Sequence, residues 1–367
     1  MAEPASGVYL FDRRTDALAF GGSAVLALTL VAAVKLLWQS DAPFPELLFV
    51  VLIVCVDVGH VWATLFRVYL DPREYRRRPL TYAALPVFAF LIGCALYRQG
   101  PLLFWRAFAY LAAFHFVKQQ VGFLALYRAR EVVVRGQASS SATLDRAAIY
   151  AATAGALVYW HASLPRPFDW FVEGDFISGL PAVFAPLSLL CSATVLIAYA
   201  YAAVSRHRRG LGTGAKDVLV GSTAVCWWTG IVIFDDDLTF TATNVLIHGL
   251  PYMVLVYRYS RAHGDELGLS RRLLSRGPLA FLAVILGLAF LEESLWDQLV
   301  WHDHIALFGQ GPNPGFASML GTGDWPSLVV PLLAVPQLTH YLLDGLVWRR
   351  AAAPGLLGGA GQRRPGA

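Results

Sequence analysis

Residues 46–69 read ELLFVVLIVCVDVGHVWATLFRVY. A helix rises 1.5 Å per residue, so about 20 apolar residues cross the roughly 30 Å of hydrocarbon in a bilayer, and this stretch is long enough. It also places Asp57 and His60 inside the span, where a polar group without a partner costs several kcal/mol. The stretch therefore predicts a membrane-spanning helix together with a reason for keeping ionisable groups in it. The whole chain agrees with the first half of that reading. Of its 367 residues 57% are hydrophobic and 15% charged, with a mean hydropathy of +0.53, whereas a soluble domain runs about 45–50% apolar and about 25% charged. A chain this apolar cannot cover itself with polar side chains in water, and a net charge of +4 gives no basis for a nucleic-acid partner. Cys55, Cys94, Cys191 and Cys226 all lie in apolar stretches without a Cys-x-x-Cys pair, so neither a disulfide framework nor a thiolate zinc site is expected.

Ten stretches have the length of a span, near 18–38, 46–69, 80–97, 101–127, 146–162, 181–204, 216–235, 239–259, 277–299 and 325–348. They predict an all-α fold, a polytopic transmembrane helix bundle of about ten spans. Basic residues are retained on the cytoplasmic side of a membrane. On the ten-span layout 22 Lys and Arg fall in the loops and tails of one side, among them Arg13, Arg76, Arg130, Arg208, Arg271 and Arg350, against only Arg98 and Arg166 on the other. This asymmetry predicts cytoplasmic N- and C-termini and a multi-pass protein of the bacterial inner membrane. The first apolar run has no small-residue cleavage site after it and reads as a retained anchor. Residues 1–350 read as one transmembrane domain and 351–367, rich in Gly, Ala and Pro, as a disordered cytoplasmic tail.

The remaining intramembrane polar groups gather around histidines. Span 4 carries FHFVKQQVGFLALYR with His115, Lys118 and Gln119; span 8 carries NVLIHGLPYMVLVYRY with Asn244 and His248; span 10 carries PQLTHYLLDGLVWRR with Gln337, His340 and Asp344. Spans 2, 4, 8 and 10 all run from outside to inside. His60 precedes Arg67 by seven residues, His115 precedes Arg128 by thirteen, His248 precedes Arg258 by ten and His340 precedes Arg349 by nine. Four imidazoles are thereby expected in one layer, roughly 10–20 Å from the basic edge. Asp57, Asn244, Gln337, Asp344 and Gln119 lie three or four residues from a histidine on the same helix face, where a side chain can bond the second ring nitrogen or complete a coordination shell. Lys118 is the odd member, a cation beside a prospective metal, expected to pair with Asp57 or Asp344 or to orient an anionic oxygen species.

Imidazoles with one or two carboxylates suit iron, copper or zinc, and open positions suit iron acting on oxygen. His60, His115, His248 and His340 are the candidate ligands, Asp57, Lys118 and Asp344 the candidate catalytic groups, and Gln119, Asn244 and Gln337 their supports. Apolar surroundings imply a lipophilic small-molecule substrate entering from the membrane lipids, in a slot drawn from Trp62, Phe66, Phe114, Phe116, Trp227, Trp228, Tyr252, Tyr341 and Trp348. The layout of one histidine per helix resembles the Brp/Blh type of carotene-cleaving membrane dioxygenase, a likeness of arrangement over those four histidines. It implies an iron-dependent oxygenase, an oxidoreductase acting on an isoprenoid-like molecule. The strings DVGHVWATLFR, HFVKQQ, NVLIHGLPY and THYLLDGLVWR are instead similar to a family of bacterial polytopic membrane proteins. Membrane desaturases are a poorer match, because their clustered histidine boxes are absent. Two other readings stay open: a haem-binding electron carrier with axial histidine pairs, and a proton- or metal-coupled transporter, for which Gly249-Leu250-Pro251, Gly122 and Pro336 offer helix breaks. Outside, Asp235, Asp236, Asp237, Glu173, Asp175, Asp297, His302, Asp303 and His304 are expected to form a solvated acidic rim, with divalent-cation binding as the alternative. Glu292 and Glu293 lie inside span 9 and need a partner, expected to be His161 or Arg106.

Overall fold

The computed structural model describes residues 8–37, 46–265, 268–311 and 325–348. Among these, helix is the only regular structure. The longer helices are α1 (Arg13–Leu36), α2 (Glu46–Arg67), α3 (Pro79–Gln99), α4 (Pro101–Arg135), α5 (Ala142–Ala152), α6 (Ala154–Ala162), α7 (Phe184–Arg208), α8 (Gly214–Ile233), α9 (Asp237–His263), α10 (Pro278–Trp301), α11 (Pro326–Leu333) and α12 (Val335–Val347). Their starts follow local chemistry. Pro79, Pro101 and Pro278 open α3, α4 and α10 at the position where no backbone donor is needed. The Asp236 carboxylate caps α9 by accepting from Thr239 N.

Seven helices, α1, α2, α3 and α7 to α10, are long and apolar enough to cross a membrane, and α11 with α12, bent by 42° at Ala334, makes an eighth if the pair is one span. These are the helices of a multi-pass membrane protein. The fourth and fifth expected spans fold as helix without meeting that standard. α4 is 35 residues long and is diluted by Arg106, Lys118, Gln119 and Gln120, and the 146–162 stretch is divided at Thr153 into α5 and α6. Residues 351–367 lie outside the described residues, as do Arg349 and Arg350.

α9 occupies the middle of the bundle: 89% of its most apolar window is buried, against 17% for α3 and α7. Contacts between helix ends give relative directions. Arg258 late in α9 pairs with Asp12 just before α1 at 2.7 Å, and Lys35 late in α1 pairs with Asp236 just before α9 at 2.7 Å, so α1 and α9 are antiparallel. α2 runs with α9, because His60 meets His248 and, further on, Arg67 stacks on Tyr259. α12 runs with α2, since His340 meets Thr64 and the Val347 carbonyl meets Arg67. α4 runs with α12, since His115 meets His340 and Gln119 lies against Asp344. Four helices of common direction thus surround one axis. Four of the spans contain a wider-wound segment, Phe49–Val58, Ala17–Gly22, Thr229–Ile233 and Asp297–Trp301, a feature common at functional sites because it re-aims the side chains that follow. The first of these ends immediately before Gly59-His60.

Candidate metal centre

The four intramembrane histidines come together. His60, His115, His248 and His340 are each buried, and one ring nitrogen from each lies within 4.8 Å of the other three. His60 Nε2 is 3.0 Å from His248 Nε2, and His115 Nε2 is 3.2 Å from His340 Nε2. Around the ring, centroids of neighbours are 4.6 Å apart for His60 and His248, 5.0 Å for His248 and His115, 4.7 Å for His115 and His340, and 4.9 Å for His340 and His60, each pair steeply inclined. His60 and His115 face each other across this figure at 6.5 Å and within 20° of parallel. Four near-equal sides and one longer diagonal describe a pinwheel of imidazoles with its nitrogens inward, flattened from a tetrahedron. A regular tetrahedron would make all six separations equal.

Such an array fits a transition-metal ion. A nitrogen ligand binds zinc at about 2.0–2.1 Å, so ligand atoms around one ion stand roughly 3 Å from their neighbours, as the two Nε2 pairs do. The carbonyl of Val56, one turn before His60, is 3.3 Å from His60 Nδ1 and can only accept. Nδ1 therefore carries the proton and Nε2 presents its lone pair to the centre. Close packing makes this possible, because Gly249, next to His248, lets α9 approach the Val56 backbone: a Cβ there would stand 2.9 Å from the Val56 carbonyl oxygen. Two rings are clamped by aromatic faces, His248 by Phe116 at 3.8 Å and 3°, and His115 by Tyr341 at 4.4 Å and 26°.

Polar layers lie on either side of the pinwheel, as helical spacing requires. Four residues after the histidines come Thr64, Gln119, Tyr252 and Asp344. Thr64 Oγ1 is 2.7 Å from His340 Nδ1 and 3.2 Å from the Tyr252 hydroxyl, and Asp344 lies against Tyr252, Trp348 and Gln119, with one carboxylate oxygen 4.0 Å from His115 Nε2. One turn before the histidines come Asp57, Asn244 and Gln337, with Asp57 Oδ1 3.8 Å from His60 Nδ1. A dication held by four neutral imidazoles would thus have a carboxylate on each side. Asn244 Oδ1 and His248 Nδ1 are buried without a hydrogen-bond partner among the described residues, an arrangement that costs free energy unless something else occupies the site.

The layer before the histidines forms the floor of a cavity of about 390 Å³. Asp57, Asn244, Gln337, Phe116 and Tyr341 lie at the floor, Trp105, Phe108, Trp170 and Phe171 in the wall, and Asp237, Asp303 and His304 toward the helix ends.

Several expected roles are corrected. Lys118 is exposed on the outside of α4, 6.0 Å from the Phe114 ring, and pairs with neither Asp57 nor Asp344: it lies about 60° round the helix from His115 on the outer side, whereas Gln119, about 40° round on the other side, stays buried. Of the nine aromatics expected to line a slot only Phe116 and Tyr341 line the cavity; Trp227 is core and Phe114 faces outward. The Glu292 carboxylate accepts from Trp62 Nε1 at 2.6 Å, while His161 bonds the Tyr110 hydroxyl and Arg106 donates to the Gly174 carbonyl. Gly122 and Gly249-Leu250-Pro251 do not break their helices; the bend at Ala334, beside Pro336, is the one that forms. The acidic rim divides. Asp235 pairs with Arg166 and Asp236 with Lys35, and although burial pushes the Asp236 carboxyl up, the bonds from Lys35 and Thr239 outweigh it and hold it below its ordinary value. Burial holds Asp175 above its ordinary value despite bonds from Phe171 N and Val172 N. Asp237, Asp297, Asp303 and His304 belong to the cavity.

Sequence reading missed Thr64, which the i+4 spacing from His60 would have found, as it found Gln119 and Asp344. Comparison of the chain with protein families, with characterised proteins and with solved structures finds no match.

Proposed function

We propose that this chain is a metalloprotein of the bacterial inner membrane, with ten spans and cytoplasmic termini, in which His60, His115, His248 and His340 hold an iron ion that oxidises a lipophilic substrate. The observation that carries the reading is the inward ring of four buried imidazole nitrogens beneath an aromatic cavity. The ten-span layout is supported by the pairing of helix ends, which brings Asp12, Arg67 and Arg258 to one end of the bundle and Lys35, Arg166 and Asp236 to the other. Iron is favoured over a closed structural zinc site because the ring of four ligands opens toward the cavity on one side, and imidazole suits iron when oxygen chemistry is required. The likeness in arrangement to carotene-cleaving dioxygenases favours a long, apolar, unsaturated substrate.

Each side chain has a role in this reading. The metal, when bound, supplies redox chemistry. Thr64 and the Val56 carbonyl orient His340 and His60, while Phe116 and Tyr341 fix the planes of His248 and His115 and form the surface a substrate meets. Asp57 and Asp344 balance the charge and can each hold a proton. Trp105, Phe108, Trp170 and Phe171 exclude water from an apolar guest. A haem carrier is disfavoured, because a porphyrin cannot fit between four nitrogens that lie within 4.8 Å of each other. The bend at Ala334 beside Gln337 favours the transporter as the second reading.

Metal analysis with an optical spectrum of the purified protein decides among these. About one equivalent of iron or another transition metal is expected, lost in His60→Ala and His248→Ala while helicity is kept. Metal-free wild-type protein that catalyses proton-driven uptake overturns the reading in favour of transport, and a Soret band overturns it in favour of haem.

A further inference from the structure

The cavity above the histidines has an electrostatic character that a lipophilic substrate does not require. Asp57, Asp237, Glu293, Asp297 and Asp303 all line it, and among its described lining residues there is no lysine or arginine. Four of these carboxylates form a continuous series. Asp303 and His304, at the helix-end mouth, donate their backbone N–H groups to Asp297 Oδ1 at 2.8 and 2.7 Å. Asp297 follows Glu293 by four residues on α10, so the two share a helix face. Glu293 is close enough to feel the charge of both Asp297 and Asp57. Asp57 in turn stands 3.8 Å from His60.

The series is also unsatisfied. Asp297 is 3% exposed and its Oδ2 has no hydrogen-bond partner among the described residues. Glu293, 8% exposed, makes no hydrogen bond among them either. Glu292 next to it is set apart by position: its Oε2 accepts from Trp62 and its Oε1 is also without a partner among the described residues, but it does not line the cavity. Two adjoining buried carboxylates, Glu293 and Asp297, that repel each other and keep unbonded oxygens are costly unless a cation visits them, and the part-exposed Asp57 and the exposed Asp303 extend the row to either side.

We propose that this cavity is the route by which a divalent transition-metal ion reaches the four histidines, entering at Asp303 and His304 and passing Asp297, Glu293 and Asp57. The inference rests on the four-histidine reading and adds the way in. Its chemistry follows from ligand preference. A hydrated dication cannot shed its water into an apolar interior without replacement oxygens, and carboxylates supply them. Carboxylate binds first-row transition metals less firmly than an imidazole set does, so each step can release the ion toward the histidines, where it is retained. An acidic, low-dielectric cleft also concentrates cations at its mouth and raises their rate of arrival.

The test measures the rate of loading apart from the final occupancy. Metal-free full-length protein in detergent is mixed rapidly with Co2+, and the optical bands of the bound ion are followed to completion. Glu293→Gln and Asp297→Asn are expected to slow loading about tenfold and to reach the wild-type end point, with a weaker dependence on ionic strength. Glu292→Gln is expected to load like the wild type. Asp297→Asn can disturb the turn that its carboxylate holds, so Glu293→Gln, whose carboxylate holds no backbone, is the deciding variant. Loading of Glu293→Gln at the wild-type rate overturns the route while leaving the histidine centre intact. Wild-type protein that takes up no Co2+ overturns the centre itself, and the route with it.

Discussion

Gly249→Ala tests whether the histidine array depends on the approach of two backbones. The added methyl would stand 2.7 Å from Val56 Cγ1 and 2.9 Å from the Val56 carbonyl oxygen, where ordinary contact begins at 3.4 Å. Either α2 and α9 separate by about half an ångström at this level or Val56 moves, and overpacking of this kind costs about 1–3 kcal/mol. The Val56 carbonyl accepts from His60 Nδ1, and His60 Nε2 faces His248 Nε2 at 3.0 Å, so one displacement disturbs both nitrogens of His60. Disturbing the support of a ligating imidazole lowers metal affinity by about 10–100-fold. The assay is a competition titration against a chelator, paired with thermal unfolding of the metal-free protein. Gly122→Ala on α4, where a Cβ meets nothing within 4 Å, is the control; it should leave affinity unchanged and stabilise by at most about 1 kcal/mol. A Gly249→Ala protein that is destabilised but binds metal with wild-type affinity refutes the reasoning, because Gly249 would then serve packing alone.

Two further predictions address the ends of the same machinery. Thr64→Val keeps the shape of the side chain but removes the partner of His340 Nδ1, so chelator competition should show about a tenfold loss of metal affinity with unfolding little changed; equal affinity would mean that Thr64 does not orient the ring. Beyond the end of α2, burial pushes the Glu74 carboxyl up, but the charge of Arg67, with bonds from Arg67, Tyr82 and Arg77, outweighs it and leaves Glu74 below its ordinary value of 4.5. A carboxylate depressed on folding stabilises fully above its unfolded value and loses that contribution as pH falls through the folded one. Glu74→Gln should therefore cost about 3 kcal/mol near neutral pH, and its gap to the wild type in unfolding midpoint should narrow once pH drops below 4.5. A gap that does not change with pH would remove the ion pair from the account.

The histidine layer was legible because two regularities act together: basic residues sort to one side of a membrane, and 1.5 Å per residue converts distance from them into depth. That arithmetic places His60 and His340 at one level whatever the tertiary packing is. It says nothing about rotation around each helix, and the misread residues follow from this. Lys118 is three positions from His115 and shares its depth, yet points outward. α4 falls short of the length-and-apolarity standard of a span for a related reason, since it carries the polar side chains that face the bundle and so reads as less apolar than a lipid-facing helix such as α3. Glu292 could be seen to need a partner, but Trp62, more than two hundred residues away, is brought to it by packing alone.

Rotation around the helices also bears on the choice between a resident metal and a transported one. On the cavity side the approach to the histidines is acidic. Beyond them, past the layer of Thr64 and Tyr252, the Trp348 ring stands edge-on to Tyr252, and the Arg67 guanidinium lies over Trp348 at 5.3 Å and over Tyr259 at 4.6 Å. Arg67 is 1% exposed and anchored by Glu74 at 2.8 Å and by the Val347 carbonyl at 3.0 Å. A cation that has reached the imidazoles therefore meets a fixed buried cation in the direction it would have to leave. Transport through the bundle would require α2 and α12 to part and break that anchorage. Retention requires no movement, and the two polar layers then differ in kind: one admits the ion and the other orients its ligands.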